Sequence, residues 1–143
     1  MIRSARRAAP VYETRDGSLI RELMHPKVHG NRHQSLAEAT LRPGQMTHAH
    51  RHACAEEIYY ILQGEALMTV DHEQQPIGRG DAVLIPPGSW HCIANSGDGE
   101  LVFLCCCAPA YGHDDTQLQA SKGDAPQKNA THPTLVGRSS GDG

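Results

Sequence analysis

One stretch of the sequence decides most of what can be expected of the fold. It runs from Gly44 to Gly64 and reads GQMTHAHRHACAEEIYYILQG. Because side chains alternate along a strand, His50 and His52 share one face. The second half, which begins with Glu57, is rich in β-branched and aromatic residues and is typical of a strand. The stretch therefore predicts two strands that each present side chains able to bind a metal.

A second stretch supplies one more histidine. Residues 80–95 read GDAVLIPPGSWHCIAN and place His91 at the start of a short apolar run. If the three strands are neighbours, three imidazoles and a carboxylate can converge on one ion. This donor set suits a divalent transition metal such as Fe, Mn, Ni, Cu or Zn, and an octahedral ion would keep two positions for water, oxygen or a substrate. We therefore predict one such ion, held by His50, His52, Glu57 and His91.

The remaining sequence predicts an all-β domain. About seven to nine short strands, with turn signals every eight to twelve residues, are typical of a sandwich or barrel. No sustained helical period occurs before Gly112, and the residues after it are mostly polar. We predict an N-terminal arm over 1–16, the barrel over 17–111 and a polar, flexible C-terminal tail over 112–143.

Composition excludes several classes of partner. The 143 residues suffice for one domain, and a formal charge of −3 offers no basic surface for nucleic acid. No apolar run approaches the roughly 20 residues that cross a bilayer, and no secretory signal is visible, so we expect no membrane partner and a cytoplasmic location.

The cysteines agree with a reducing compartment. Their number is five, and the odd total argues against a disulfide framework. Cys105, Cys106 and Cys107 are consecutive within an apolar run, so they point to alternate faces and are poorly placed to bridge each other. We interpret the triplet as small buried hydrophobic residues.

The two stretches together resemble a known pair of motifs. The first has the form Gly44-x5-His50-x-His52-x4-Glu57-x6-Gly64. The second has the form Gly80-x5-Pro86-x-Gly88-x2-His91-x3-Asn95. Both are similar to the two signature motifs of the cupin superfamily, in the right order and with every named position filled.

The resemblance implies a fold and a role for each motif residue. The fold is a single double-stranded β-helix, the jelly-roll-like cupin barrel, with a metal inside its mouth. The resemblance makes His50, His52, Glu57 and His91 the metal ligands. It makes turn-forming residues of the others, namely Gly44, Gly64, Gly80, Pro86, Gly88 and Asn95, which agrees with their chemistry.

One histidine competes with the predicted ligands. A pair formed by His48 and His50 would leave three residues after Gly44 and fits the motif less well. His48 nevertheless has the same strand parity, so it faces either the pocket rim or solvent. By the same parity we predict that Ile61 and Ile93 line the pocket.

The metal site allows three kinds of function. The first is an enzyme with metal-dependent dioxygenase chemistry, which we favour. The second is an oxygen-independent lyase, isomerase or cyclase that uses the ion as a Lewis acid. The third is a non-enzymatic small-molecule binding protein. Cupins occur in all three classes, and a fold does not by itself imply a function.

Tyr59 is the one further catalytic candidate. It shares the inward parity of Glu57, so its phenol can act as an acid, a base or an orienting donor, while packing in the core is the alternative. The pattern Glu57-x-Tyr59 also resembles cupin lyases that cleave sulfonium propionates. Cupins often pair through exposed sheet edges, so we also predict a homodimer.

Overall fold

Two antiparallel sheets that face each other form the protein in a computed structural model, which describes residues 1–14 and 17–120. In chain order the strands are β1 (Val11–Glu13), β2 (Leu19–Met24), β3 (Ser35–Leu41), β4 (His50–His52), β5 (Glu56–Gln63), β6 (Glu65–Val70), β7 (Glu73–Gly78), β8 (Ala82–Ile85), β9 (His91–Asn95), β10 (Leu101–Ala108) and β11 (Thr116–Leu118). The one α-helix within the described ranges, α1 (Pro26–His29), has four residues, far fewer than a bilayer crossing requires.

The chain passes repeatedly from one sheet to the other. The six-stranded sheet has the order β1-β2-β3-β10-β5-β8, and the five-stranded sheet has the order β11-β4-β9-β6-β7. From β3 to β6 every successive strand changes sheet, and the same is true from β7 to β11. This winding is a double-stranded β-helix, and it confirms the predicted all-β barrel.

The core lies between the two sheets. Residues along β5 are alternately exposed and buried, which places Glu57, Tyr59 and Ile61 on the inward face. Ile61 and, from the opposite sheet, Ile93 are fully buried. Apolar contact between the sheets therefore stabilises the barrel around the strands that carry the predicted ligands.

Two motif residues show why their types are required. Gly64, between β5 and β6, has φ of 89°, and a Cβ there would lie 2.8 Å from the Glu100 carbonyl oxygen. Asn95 is buried, and its amide nitrogen donates to the carbonyls of Leu41 (3.0 Å) and Gly99 (2.8 Å). The first residue permits a tight turn and the second ties a loop to a neighbouring strand.

Both ends of the chain contribute a strand. β1 extends the six-stranded sheet, and β11 pairs with β4 in the other sheet. These two edge strands take the total to eleven within the described ranges, above the expected seven to nine. Three residues are too few to show a clear alternation, which explains the difference. The predicted domain boundaries stay predictions, and residues 121–143 of the predicted tail lie outside the described ranges.

Candidate metal centre

The four predicted ligands come together between the sheets. His50 and His52 stand on the inward face of β4, and the register of β4 and β9 places His50 opposite His91. Glu57 faces them from β5, and all four side chains are at least 95% buried. One potential ligand atom from each residue lies within 4.8 Å of the other three.

The carboxylate lies close to two of the rings. Glu57 Oε2 is 3.0 Å from Nε2 of His52 and 3.3 Å from Nε2 of His91. The ring centroids of His50 and His91 are 4.1 Å apart. Burial alone would raise the pKa of Glu57, but the contacts with His52 and His91, when their Nε2 atoms carry protons in the metal-free site, outweigh it and lower that pKa to about 2. The carboxylate is therefore ionised at neutral pH.

Backbone carbonyls determine the tautomer of two imidazoles. His50 Nδ1 is 2.8 Å from the carbonyl oxygen of His48, and His91 Nδ1 is 3.0 Å from that of Ser89. A carbonyl oxygen can only accept, so each Nδ1 carries the proton and donates it. The Nε2 atoms are then the ring nitrogens that can ligate a metal.

A threonine determines the tautomer of the third imidazole, that of His52. The Thr116 hydroxyl donates its proton to the carbonyl oxygen of Gly112 at 2.9 Å. The same oxygen lies 3.1 Å from His52 Nδ1 and can therefore only accept there. His52 thus also carries its proton on Nδ1, and Nε2 faces Glu57.

The positions of the protons on these imidazoles fit a bound cation. With all three Nδ1 atoms protonated, the Nε2 atoms offer lone pairs toward one another and toward the ionised Glu57. Such a cluster needs either extra protons or a metal ion between its members. Among the described residues, buried His91 Nε2 makes no hydrogen bond, as expected of an atom reserved for an ion.

A thiol supports the carboxylate from the other side. Cys107 lies opposite Glu57 in the register of β10 and β5, and its Sγ donates to Glu57 Oε1 at 3.3 Å. Burial, followed by the charge of Glu57, raises the pKa of this thiol, so it is protonated in the metal-free site, and Cys107 is not in the group of four residues whose potential ligand atoms converge. The interpretation of the triplet as buried residues holds best for Cys107, since Cys105 and Cys106 are half-buried.

The segment before β11 fixes the connection between β4 and β5. The Asp115 carboxylate accepts from the backbone N–H groups of Cys54 (2.9 Å) and Ala55 (3.0 Å). The Asp115 carbonyl accepts from Ala53 N–H at 3.0 Å. Partial burial alone would raise the pKa of Asp115, but the bonds from Ala55 and Cys54 lower it. The loop between His52 and Glu57 is thus held by the C-terminal segment.

A small cavity opens onto the cluster. Its volume is about 50 Å³, far below the roughly 300–1,000 Å³ of sites for drug-sized ligands, so it favours a small molecule. Its walls come mainly from the six-stranded sheet and from the segment around β11. The lining residues that matter below are Tyr12, Glu22, Ala37, Ala39, Tyr59, Phe103, Cys105, Tyr111 and Thr116, together with His50, His52 and Glu57.

The structure places the other predicted site residues at different positions relative to the cavity. Tyr59 lines the cavity and is 2% exposed, with its ring centroid 5.9 Å from that of His91. Ile61 and Ile93 belong to the hydrophobic core and are not among the described residues that line the cavity. His48 is exposed and also stands outside the described lining, near Gly17.

Several site residues escaped the sequence-based prediction. Thr116 comes from the predicted tail and Tyr111 from the last position of the predicted barrel, and the Tyr111 ring packs edge-on against that of His52, with 5.7 Å between the ring centroids. Glu22 and Tyr12 come from strands far from either motif. Glu22 has the same strand parity as Ile20, and this was a sequence signal that Glu22 faces inward. No local feature of the sequence marks Thr116 as a partner of His52.

Comparison with known proteins agrees with this geometry. A family model described as the cupin domain matches residues 37–107. An uncharacterized protein of Methanocaldococcus jannaschii is 49% identical over 107 residues, which cover 75% of this chain and 86% of that protein. An oxalate-binding protein of Thermotoga maritima is 36% identical over 86 residues, covering 60% of this chain and 67% of that protein.

A solved structure shows the same architecture. It is the crystal structure of a predicted oxalate decarboxylase from Thermotoga maritima, with a TM-score of 0.67 and 25% identity. The likeness covers 74% of this chain and 97% of that one. The family match, the relatives and the shared double-stranded β-helix lead to one conclusion: this protein belongs to the cupin superfamily.

Proposed function

We propose that this protein is a metal-dependent enzyme for small organic acids, with the metal held by His50, His52, Glu57 and His91. The observation that carries the proposal is the position of the imidazole protons. Three Nδ1 atoms donate hydrogen bonds, so the three Nε2 atoms do not bind those partners and meet the ionised Glu57 carboxylate at one buried point. When bound, a divalent transition ion such as Fe, Mn, Ni, Cu or Zn supplies a Lewis acid and, if redox-active, electrons for dioxygen chemistry.

The chain's own residues supply the other parts of such a site. Phe103 and Ala39 are 1% exposed and give the cavity an apolar wall that excludes water. Tyr59 lines the cavity, and its hydroxyl is the group we propose to orient a substrate oxygen or transfer a proton. The Thermotoga maritima relative is named for binding oxalate, which supports an organic acid as the ligand.

A dioxygenase-type reaction is the first reaction class in this proposal. Four protein donors leave two positions on a six-coordinate ion, and these can serve an organic acid and dioxygen together. The apolar wall beside the cluster suits a reaction that must be protected from water.

An oxygen-independent lyase, isomerase or cyclase is the second class. Its specific support is Tyr59, because a buried phenol beside the imidazole cluster can serve as the acid or base that such reactions need. A binding protein without turnover is the third class, and the name of the oxalate-binding relative supports it.

Oxygen uptake separates the three classes. Protein loaded in turn with Fe, Mn, Ni, Cu and Zn is incubated with a panel of carboxylates and phenols, and both oxygen consumption and product are recorded. Uptake that depends on substrate and metal supports the dioxygenase class, whereas product without uptake supports the second class. Tight binding with no product for any metal would contradict the enzyme proposal. His50→Ala serves as the inactive control.

The outer face of the six-stranded sheet supports a homodimer. Ile58, Tyr60 and Leu62 on β5 are 37–43% exposed, and Leu84 on the paired strand β8 is 57% exposed. Exposed apolar side chains on adjacent strands form a patch of the kind that interfaces cover.

Light scattering after size exclusion tests the dimer. The wild-type chain is expected to elute as a dimer, and Leu84→Lys as a monomer with unchanged metal content. Val28→Lys is the matched control, because Val28 is 71% exposed but lies on α1, outside the patch. A wild-type monomer at micromolar concentration would contradict the proposal.

A reducing compartment such as the cytoplasm completes the proposal. All five cysteines are free thiols in the structure, and free thiols persist where disulfides are kept reduced. Fractionation of cells that express the native chain tests this location. Recovery of the protein from an oxidising compartment would contradict it.

A further inference from the structure

The cavity has a second charged end. Glu22, on β2, lines it together with Tyr12 from the edge strand β1. The Tyr12 hydroxyl donates to Glu22 Oε2 at 3.4 Å. The Glu22 carboxylate is separate from the four predicted metal ligands and has no part in the reaction proposed above.

Strand register gives the position of Glu22 relative to the cluster. Glu22 pairs with Ala37, Ala37 with Cys105, and Cys105 with Tyr59, so these four side chains form one row across the six-stranded sheet. Glu57 lies two residues from Tyr59 on the same face. Three strand spacings of about 4.8 Å put the backbones of Glu22 and Tyr59 about 14 Å apart along the curved sheet, and both side chains line the cavity inside it.

Small side chains separate the two ends. Ala37 and Cys105 lie in the row between Glu22 and Tyr59, and Ala39 lies in the next row. None of the three is large enough to divide the cavity, which all of them line. One short molecule can therefore contact both ends.

The far end favours hydrogen-bond donors and positive charge. Among the described residues, no hydrogen bond or ion pair reaches the second oxygen of Glu22, Oε1. The described lining also contains no lysine or arginine that could receive a second acidic group. Burial, followed by the charge of Glu22, raises the pKa of Tyr12 to about 12, so its phenol remains a neutral donor to the carboxylate.

We propose that the cavity takes a short organic acid whose far end carries an ammonium or hydroxyl group, and that Glu22 determines this specificity. The inference rests on the proposed function, because it assigns the carboxylate of the ligand to the end of the cavity that the four predicted metal ligands form, here called the metal end. A ligand with a carboxylate near the metal and a hydrogen-bond donor near Glu22 would interact favourably at both ends of the cavity. A dicarboxylic acid of the same length would instead bring two carboxylates together at Glu22.

The test compares three acids of matched length on the metal-loaded protein. They are 4-aminobutanoate, pentanoate and pentanedioate, and isothermal titration gives each dissociation constant. For the wild type we expect 4-aminobutanoate to bind at least fivefold more tightly than pentanoate, and pentanedioate to bind most weakly. In Glu22→Gln the preference for 4-aminobutanoate over pentanoate should fall below twofold, while pentanoate affinity changes less than twofold.

The controls distinguish failure of this inference from failure of the proposed function. Tyr12→Phe keeps the charge of Glu22 and should keep the preference. Equal binding of the three acids by metal-loaded wild type, tightest binding of pentanedioate, or an unchanged preference in Glu22→Gln would overturn the role of Glu22 alone. No measurable binding of any acid would also overturn it. Metal content and turnover decide the proposed function independently of these titrations.

Discussion

The two ends of the cavity are built in different ways. At the metal end, the four buried predicted ligands stand on strands inside the sheets, and each has a further partner: His48, Ser89 or Thr116 for the rings and Cys107 for the carboxylate. At the other end, Glu22 is half-buried beside a three-residue edge strand, and among the described residues it has one hydrogen bond, 3.4 Å long, from the Tyr12 hydroxyl.

The family match divides the molecule at the same place. Residues 37–107 contain all four predicted ligands, whereas Glu22 and Tyr12 precede this region. A rigid metal end suits an ion, which requires fixed donor positions. A less constrained end suits a part of the molecule that adapts to a particular ligand. On the functions proposed above, the first end would determine the reaction type and the second the choice of ligand.

The largest effect is expected from removing a ligand. His50→Ala or His91→Ala should lose most of the bound metal, because the remaining donors leave an incomplete site. His29→Ala is the matched control, since His29 lies on α1 and its Nδ1 accepts from the His25 backbone. Elemental analysis of the purified variants measures the loss. Equal loss in His29→Ala would contradict the assignment of the site.

Tyr59 tests whether chemistry belongs to the metal end. If its phenol transfers a proton, Tyr59→Phe should lower kcat by about 10²- to 10⁴-fold, with metal content unchanged. Steady-state kinetics with the substrate found by the oxygen assay measures the effect. A kcat within twofold of the wild type would leave Tyr59 with a packing role against Phe103, whose ring centroid lies 4.8 Å away.

Thr116 tests whether the rings are held by their partners. Thr116→Val keeps the side-chain shape but removes the acceptor for His52 Nδ1, so metal affinity should weaken by about 10- to 100-fold. Thr116→Ser retains the hydroxyl and should bind within threefold of the wild type. Competition with a chelating dye measures both dissociation constants. Wild-type affinity in the valine variant would show that the ring is oriented without this bond.

Acid should destabilise the metal-free protein gradually. The folded pKa of Glu57 is lowered from 4.5 to about 2, and that of Asp115 is also lowered. A depressed pKa adds stability above the unfolded value, and this contribution is lost as pH falls toward the folded one. Urea midpoints should therefore fall between pH 5 and 3. Glu57→Gln should show a shallower fall, and an equal slope in both proteins would be evidence against the lowered pKa of Glu57.

The convergence of the four predicted ligands could be expected from the sequence because its signals are local. Alternation places His50 and His52 on one face, and the motif glycines mark the turns on either side. The partners of these ligands depend on pairing between distant strands. Thr116 reaches His52 through the pairing of β11 with β4, across 64 residues of chain, and Cys107 reaches Glu57 across 50 residues.

The far end of the cavity could not be predicted for a related reason. Parity places Glu22 on the inward face, but only the register of four strands shows that its row leads to Tyr59. Parity also explains the prediction for Ile61 and Ile93, which do face inward. Their depth along the barrel depends on how the two sheets close around the core, which periodicity does not determine.

The most direct test of the central claim is the metal content of the wild-type protein, purified without a polyhistidine tag or chelator. Elemental analysis, repeated after incubation with Fe, Mn, Ni, Cu or Zn and removal of the excess, should give about one divalent transition ion per chain. His91→Ala treated in parallel should give almost none. A wild-type chain that retains no ion under any of these conditions, or a His91→Ala chain that retains as much as the wild type, would contradict the account.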